Sequence, residues 1–133
     1  MVLDSEALSS LAWPAGGSKS TRRAQAVLEA VVRLGGHAVI PAPVLAEVAR
    51  GPARRAAVGR VARRIPVVPA DRAIAERAGE LLETNKLDSC HAVDAFVAAT
   101  AISSGYSLVL TGDPDDLLRL TAGVPGVAIQ ALP

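Results

Sequence analysis

Apolar residues follow two rhythms along this chain. Short runs of strand length occur at Val2-Leu3, Ala38-Val39-Ile40, Ile65-Pro66-Val67-Val68, Ser107 to Thr111 and Val127-Ala128-Ile129. Between them apolar positions recur every three or four residues. Over 20–34, Ala24, Val27, Leu28, Val31, Val32 and Leu34 mark one face of a helix that Gly35-Gly36 closes. A short helix starts at Pro43, a favoured first-turn residue. A further helix spans 52–64, Asp71 caps one reaching about Thr84, and Asp88 or Ser89 caps the next, which ends near Ser104 before Gly105. Strands alternating with helices of this length imply right-handed βαβ units and a parallel sheet covered on both faces. The expected class is therefore α/β, a three-layer α/β/α domain with a central parallel sheet of about five strands. Pro14 to Ser20, rich in Gly and Ser between two helices, reads as the most mobile connection.

Composition narrows the reading. A chain of 133 residues fits one domain, 1–133, without internal repeats. Half of its residues are hydrophobic but only 2% are aromatic, so its core must be built from Ala, Val, Leu and Ile, as in buried parallel strands. The formal net charge of +1 neither demands nor excludes nucleic acid, which leaves the distribution of charge to decide. A single cysteine, Cys90, rules out an internal disulfide framework and argues against a thiolate zinc site. No apolar segment approaches the roughly 20 residues needed to span a bilayer. A cytoplasmic protein is expected, with no membrane partner.

The acids carry the candidate chemistry. Asp4 ends the first strand and Asp113 follows the fourth, so both fall at strand C-termini, the edge where open α/β sheets bind ligands. Asp94 lies inside the almost wholly apolar helix from His91 to Ile102, at the border of the stripe Val93, Val97 and Ala101. An ionised carboxylate there is costly unless paired or metal-bound. Glu47 falls in the first two turns of the helix after strand two, where the helix dipole favours an acid. Each has a bland counterpart: Asp94 a helix-edge residue facing water, Glu47 a dipole partner, Asp113 an N-cap with Pro114 at N1 and Asp116 at N3. For Asp4 the bland case is weaker, because Ser5 can cap the helix that follows. Carboxylates gathered at one address repel one another and call for cations, and hard oxygen donors select Mg²⁺ or Mn²⁺. Such ions can orient a water and stabilise the phosphorane of a hydrolysed phosphodiester.

These residues resemble the PIN-domain ribonucleases, and more narrowly the VapC-type toxins of bacterial toxin–antitoxin pairs. Val2-Leu3-Asp4-Ser5 is similar to that family's opening strand, and Pro43-Val44-Leu45-Ala46-Glu47 to the segment bearing its glutamate. Asp94-Ala95-Phe96-Val97-Ala98-Ala99 resembles its Asp-Ala helix, and Leu108-Val109-Leu110-Thr111-Gly112-Asp113 its strand ending in Thr-x-Asp. The resemblance implies that Asp4, Glu47, Asp94 and Asp113 are catalytic and ligate Mg²⁺ or Mn²⁺, with Asp116 contributing to the metal site. It further implies RNA endonucleolysis, a cognate antitoxin that occludes the site, and a homodimer.

Other features weigh less. Arg50, Arg54, Arg55, Arg60, Arg63 and Arg64 concentrate positive charge, either as a track for phosphates or as a solvated helix face. Gly16 to Thr21 is no phosphate loop, since Lys19 does not follow a glycine and no strand precedes it. Cys90 reads as a small, at least half-buried filler, and His91, one turn from Asp94, lies within reach of it. A phosphoacceptor receiver would need an acid directly after strand three, where Pro69-Ala70 stand instead. The competing function is a catalytically silent PIN-like binding module whose acidic crevice holds an arginine-bearing protein partner.

Overall fold

The computed structural model describes residues 1–14 and 17–133. Ala15 and Gly16, inside the connection read as mobile and beside the rejected phosphate loop, lie outside the described residues. Elements run β1 (Val2–Leu3), α1 (Ser5–Ala12), α2 (Lys19–Arg33), β2 (Ile40–Pro41), α3 (Ala42–Val48), α4 (Pro52–Ala62), β3 (Val67–Val68), α5 (Arg72–Asn85), α6 (Ala92–Ser103), β4 (Ser107–Thr111), α7 (Pro114–Leu120) and β5 (Val127–Ala131). A 3₁₀ turn, Ser89–His91, leads into α6.

All strand pairs are parallel. The order β1-β4-β5 forms one ladder and β2-β3 a second. A parallel bridge between Val2 and Val39 joins them, with Leu3 N–H donating to Val39 O (3.1 Å) and Val39 N–H to Met1 O (2.9 Å). β1 therefore sits mid-sheet between β2 and β4, and helices cover both faces as the alternating pattern requires. The third strand is shorter than its apolar run because Ile65 N–H closes the end of α4 on Val61 O (3.0 Å), which leaves Pro66 O to open the pairing with Ile40.

The aliphatic composition is spent as the pattern predicts. Leu3, Ile40, Val109 and Leu110 bury the sheet from within, Leu8 covers it from α1, and Leu117 and Leu120 from α7. On α6, Ala95, Ala98, Ala99 and Ala101 are fully buried, so small side chains carry this helix close to the strands. Among the described residues no helix is long and apolar enough to cross a membrane.

Candidate metal centre at the strand C-termini

Asp4 leaves the central strand and enters α1 in one step. It is buried, and its carboxylate accepts from Ala7 N–H (2.7 Å) with one oxygen and from Gly112 N–H (3.1 Å) with the other. Asp4 is thus itself the N-cap of α1, a role read as open to Ser5. Ser5 is taken elsewhere, since its hydroxyl donates to the Glu47 carboxylate. A cap of this kind is worth about 1 kcal/mol. Burial raises the Asp4 carboxyl above its usual range despite hydrogen bonds from the Ala7 and Gly112 N–H groups, and nearby Glu6 adds to the rise.

Asp94 is half-buried on the first turn of α6. Desolvation pushes its carboxyl up to about 6, and the negative charges of Asp116, Asp4 and Glu47 push the same way, with His91 opposing. Three acids, from α7, the end of β1 and α3, therefore act on one acid of α6, and Asp116 is the one placed beside it. Asp4 ends β1 and Asp116 lies in the first turn of the helix after β4, at the edge where such sheets bind ligands. Glu47 instead arrives from the last turn of α3, away from the dipole end its reading assumed, and Asp94 from the start of α6, which follows α5 with no strand between.

Asp116 takes a more central place than Asp113. Its carboxylate lies 3.0 Å from His91 Nδ1 and 3.7 Å from an Arg119 guanidinium nitrogen. One donor atom each from His91, Asp94 and Asp116 all lie within 4.8 Å of one another, close enough to share an ion. Asp113 is exposed, and its charge is not among those that raise Asp94. It begins α7 as expected, yet its side chain makes no capping hydrogen bond. Thr111 Oγ1 instead takes the Asp113 N–H and donates back to the Asp113 carbonyl, each at 3.0 Å, which closes the turn without the carboxylate.

Two residues near this edge escape a sequence reading. The exposed Glu6 carboxylate packs against Gly112 so closely that a Cβ added at Gly112 would collide with it, a contact signalled only by the missing side chain in Thr-Gly-Asp. His91 meets Asp116 of α7 as well as lying beside Asp94, a contact that only the folded helices create. Cys90 is exposed, contrary to the filler reading, because the Asp88 carboxylate caps the Cys90 N–H (2.9 Å) in the 3₁₀ turn and holds the thiol outside the core.

The arginine segment divides. Arg50 Nε donates to Glu47 O (2.9 Å), and Arg54 stacks 5.6 Å from the Trp13 ring centre. Arg60, Arg63 and Arg64, farther along, line a groove of about 580 Å³ with Leu11, Leu28 and Val61, between α1, α2 and α4.

Comparison with known proteins agrees with this architecture. VapBC2 from Rickettsia felis, bound to a promoter DNA fragment, superposes with a TM-score of 0.73 at 15% identity over 99% of this chain and 98% of that one. A toxin–antitoxin complex from Klebsiella pneumoniae gives 0.65 at 24%, covering 96% and 94%. DNA-bound VapBC from Salmonella typhimurium gives 0.59 at 18%, covering 98% and 96%. At these identities the likeness concerns the fold. No curated protein is matched in sequence. The PIN domain model matches residues 1–123, which include every acid of the constellation. The chain belongs to the PIN domain family.

Proposed function

We propose that this PIN domain is a divalent-metal-dependent endoribonuclease, the VapC-type toxin of a toxin–antitoxin pair. One observation carries the reading: the half-buried Asp94 faces Asp116, Asp4 and Glu47, an arrangement of like charge that costs stability in the metal-free chain. The donor set suits Mg²⁺ or Mn²⁺, because it is dominated by carboxylate oxygens. Asp94 and Asp116 would hold the ion, with Asp4 and Glu47 beside them and Asp113 at the outer rim. The bound ion would supply an activated water and neutralise charge on a phosphodiester. The chain's own groups do the rest. Asp4, fixed by two backbone N–H groups, sets the floor of the site, and Ser5 orients Glu47.

The fold's neighbours are toxin–antitoxin complexes, which supports an antitoxin partner for this chain. The groove with Leu11, Leu28 and Val61 at its base and three arginines on its rim fits an amphipathic segment with acidic flanks. Such an enzyme works where RNA is, so we place it in the cytoplasm. Sedimentation of the isolated chain tests the homodimer that the resemblance implies.

The deciding experiment incubates total RNA with the chain in Mg²⁺, in Mn²⁺ and in chelator, alongside Asp94→Asn. Metal-dependent fragments that disappear with the variant support the reading. A native chain that binds Mn²⁺ but cuts no RNA would sink it and favour the silent binding module.

A further inference from the structure

We infer that His91 is a nitrogen ligand of the metal centre and biases it toward Mn²⁺, or a borderline ion such as Co²⁺, over Mg²⁺. This rests on the metal-dependent reading above and deepens it. Donors bound at about 2.1 Å to one octahedral ion lie about 3.0 Å apart when adjacent and about 4.2 Å apart when opposite. His91 Nδ1 and Asp116 Oδ2 stand 3.0 Å apart, and the donors of His91, Asp94 and Asp116 fall within 4.8 Å of one another. His91 and Asp116 therefore already have the spacing of an adjacent ligand pair, with an Asp94 donor near enough to join them after a small side-chain movement.

The imidazole is also held in place. His91 is the last residue of the 3₁₀ turn and the N-cap of α6, three residues before Asp94, so both side chains share one helix face. Asp88 fixes that turn through the Cys90 N–H. The His91 and Asp116 side chains are each only 26% exposed, unlike a solvated surface pair. A plain ion pair with Asp116 would not require the ring to lie beside Asp94 as well. Mg²⁺ strongly prefers oxygen donors, whereas imidazole raises affinity along the series from Mn²⁺ to Co²⁺. A single nitrogen in a carboxylate set is the feature that separates these ions.

The test titrates the chelated native chain, His91→Asn and His91→Ala with Mn²⁺ and with Mg²⁺ by calorimetry. Pulsed electron paramagnetic resonance on the Mn²⁺ complexes then looks for ¹⁴N coupling from a directly bound imidazole, with circular dichroism checking the fold. The expected result is ¹⁴N coupling in the native chain and none in either variant. The preference for Mn²⁺ over Mg²⁺ should fall by about tenfold in both, the scale on which the surroundings of a metal act on affinity. Mn²⁺ bound without ¹⁴N coupling, and an unchanged Mn²⁺ to Mg²⁺ ratio in His91→Asn, would overturn the inference and leave His91 a hydrogen-bond partner of Asp116. Should the native chain bind neither ion, the inference falls together with the metal-dependent reading. If it binds Mn²⁺ through nitrogen but cuts no RNA, the nuclease reading falls and the ligand assignment stands.

Discussion

Helices α5 and α6 pack against each other and are similar in length, but they treat their acids in opposite ways. On α5 only Ala78 is buried, and each acid that meets a charge meets an opposite one: Arg72 Nε lies 2.7 Å from Glu76 and an Arg77 guanidinium nitrogen 3.4 Å from Glu80. These are one-turn surface pairs worth a few tenths of a kcal/mol each. On α6 six residues are buried, and its one acid faces three others. Asp71 also caps α5 through Ile74 N–H (2.9 Å), while the N-cap of α6 is His91, whose side chain makes no capping bond. One helix pairs its acids for its own stability; its neighbour leaves its acid unpaired within the helix. The acid of α6 that meets only like charge among carboxylates is the one to assign to chemistry.

The largest test of that contrast is Asp94→Asn. RNA cleavage should fall by at least roughly a hundredfold, as expected when several kcal/mol of transition-state charge stabilisation is lost. Circular dichroism should show an unchanged fold. Next, Asp116→Asn should weaken Mn²⁺ binding by about ten- to a hundredfold in calorimetry, and Asp113→Asn by less, because Asp113 stands outside the charges that act on Asp94. Equal losses would show that α7 moves on binding the ion.

Stability against pH gives a smaller effect. Asp94 titrates near 6 in the folded chain and near 3.8 when free, so folding favours its protonated form. That contribution is complete below about pH 4 and is lost as pH rises through about 6. Asp4 is shifted in the same direction. The chelated native chain should therefore lose about 1–2 kcal/mol of unfolding free energy across this window, a figure reduced for solvent screening at a half-buried site. Asp94→Asn should lose less, and saturating Mn²⁺ should abolish the loss; denaturant melts at pH 4, 5, 6 and 7 measure both. The smallest effect belongs to α5. Glu76→Gln and Glu80→Gln should each change stability by no more than about 0.5 kcal/mol and leave Mn²⁺ binding untouched.

Much of this was legible in the residues. β4 is bounded as its apolar run predicts, and α2, α4 and α5 start or stop within a residue or two of their caps and prolines, because those signals are local. The sheet edge was legible for Asp4, which ends β1, but Asp94 reaches it from α6, directly after α5, and Glu47 from the last turn of α3, which strand alternation alone does not dictate. What escaped depends on which partner a side chain finds across the fold. Asp4 rather than Ser5 caps α1, through the Ala7 N–H, and Asp113 starts α7 without a side-chain cap, its own N–H and carbonyl being tied to the Thr111 hydroxyl. The closeness of Asp116 to His91 and of Glu6 to Gly112 joins elements far apart in sequence, and no local pattern announces such contacts.

The central position of β1 has a consequence for how the molecule comes into being. The first strand pairs with Val109 and Leu110, and Asp4 accepts a hydrogen bond from a residue 108 positions away. Contacts of that separation are slow to close, and a chain leaving the ribosome makes its N-terminal part first. The opening residues must therefore wait, paired at most with β2, until β4 has emerged. The acids of α6 and α7 meet Asp4 only after about a hundred further residues have been made. A centre built this way cannot assemble in a nascent fragment that stops short of β4 and α7.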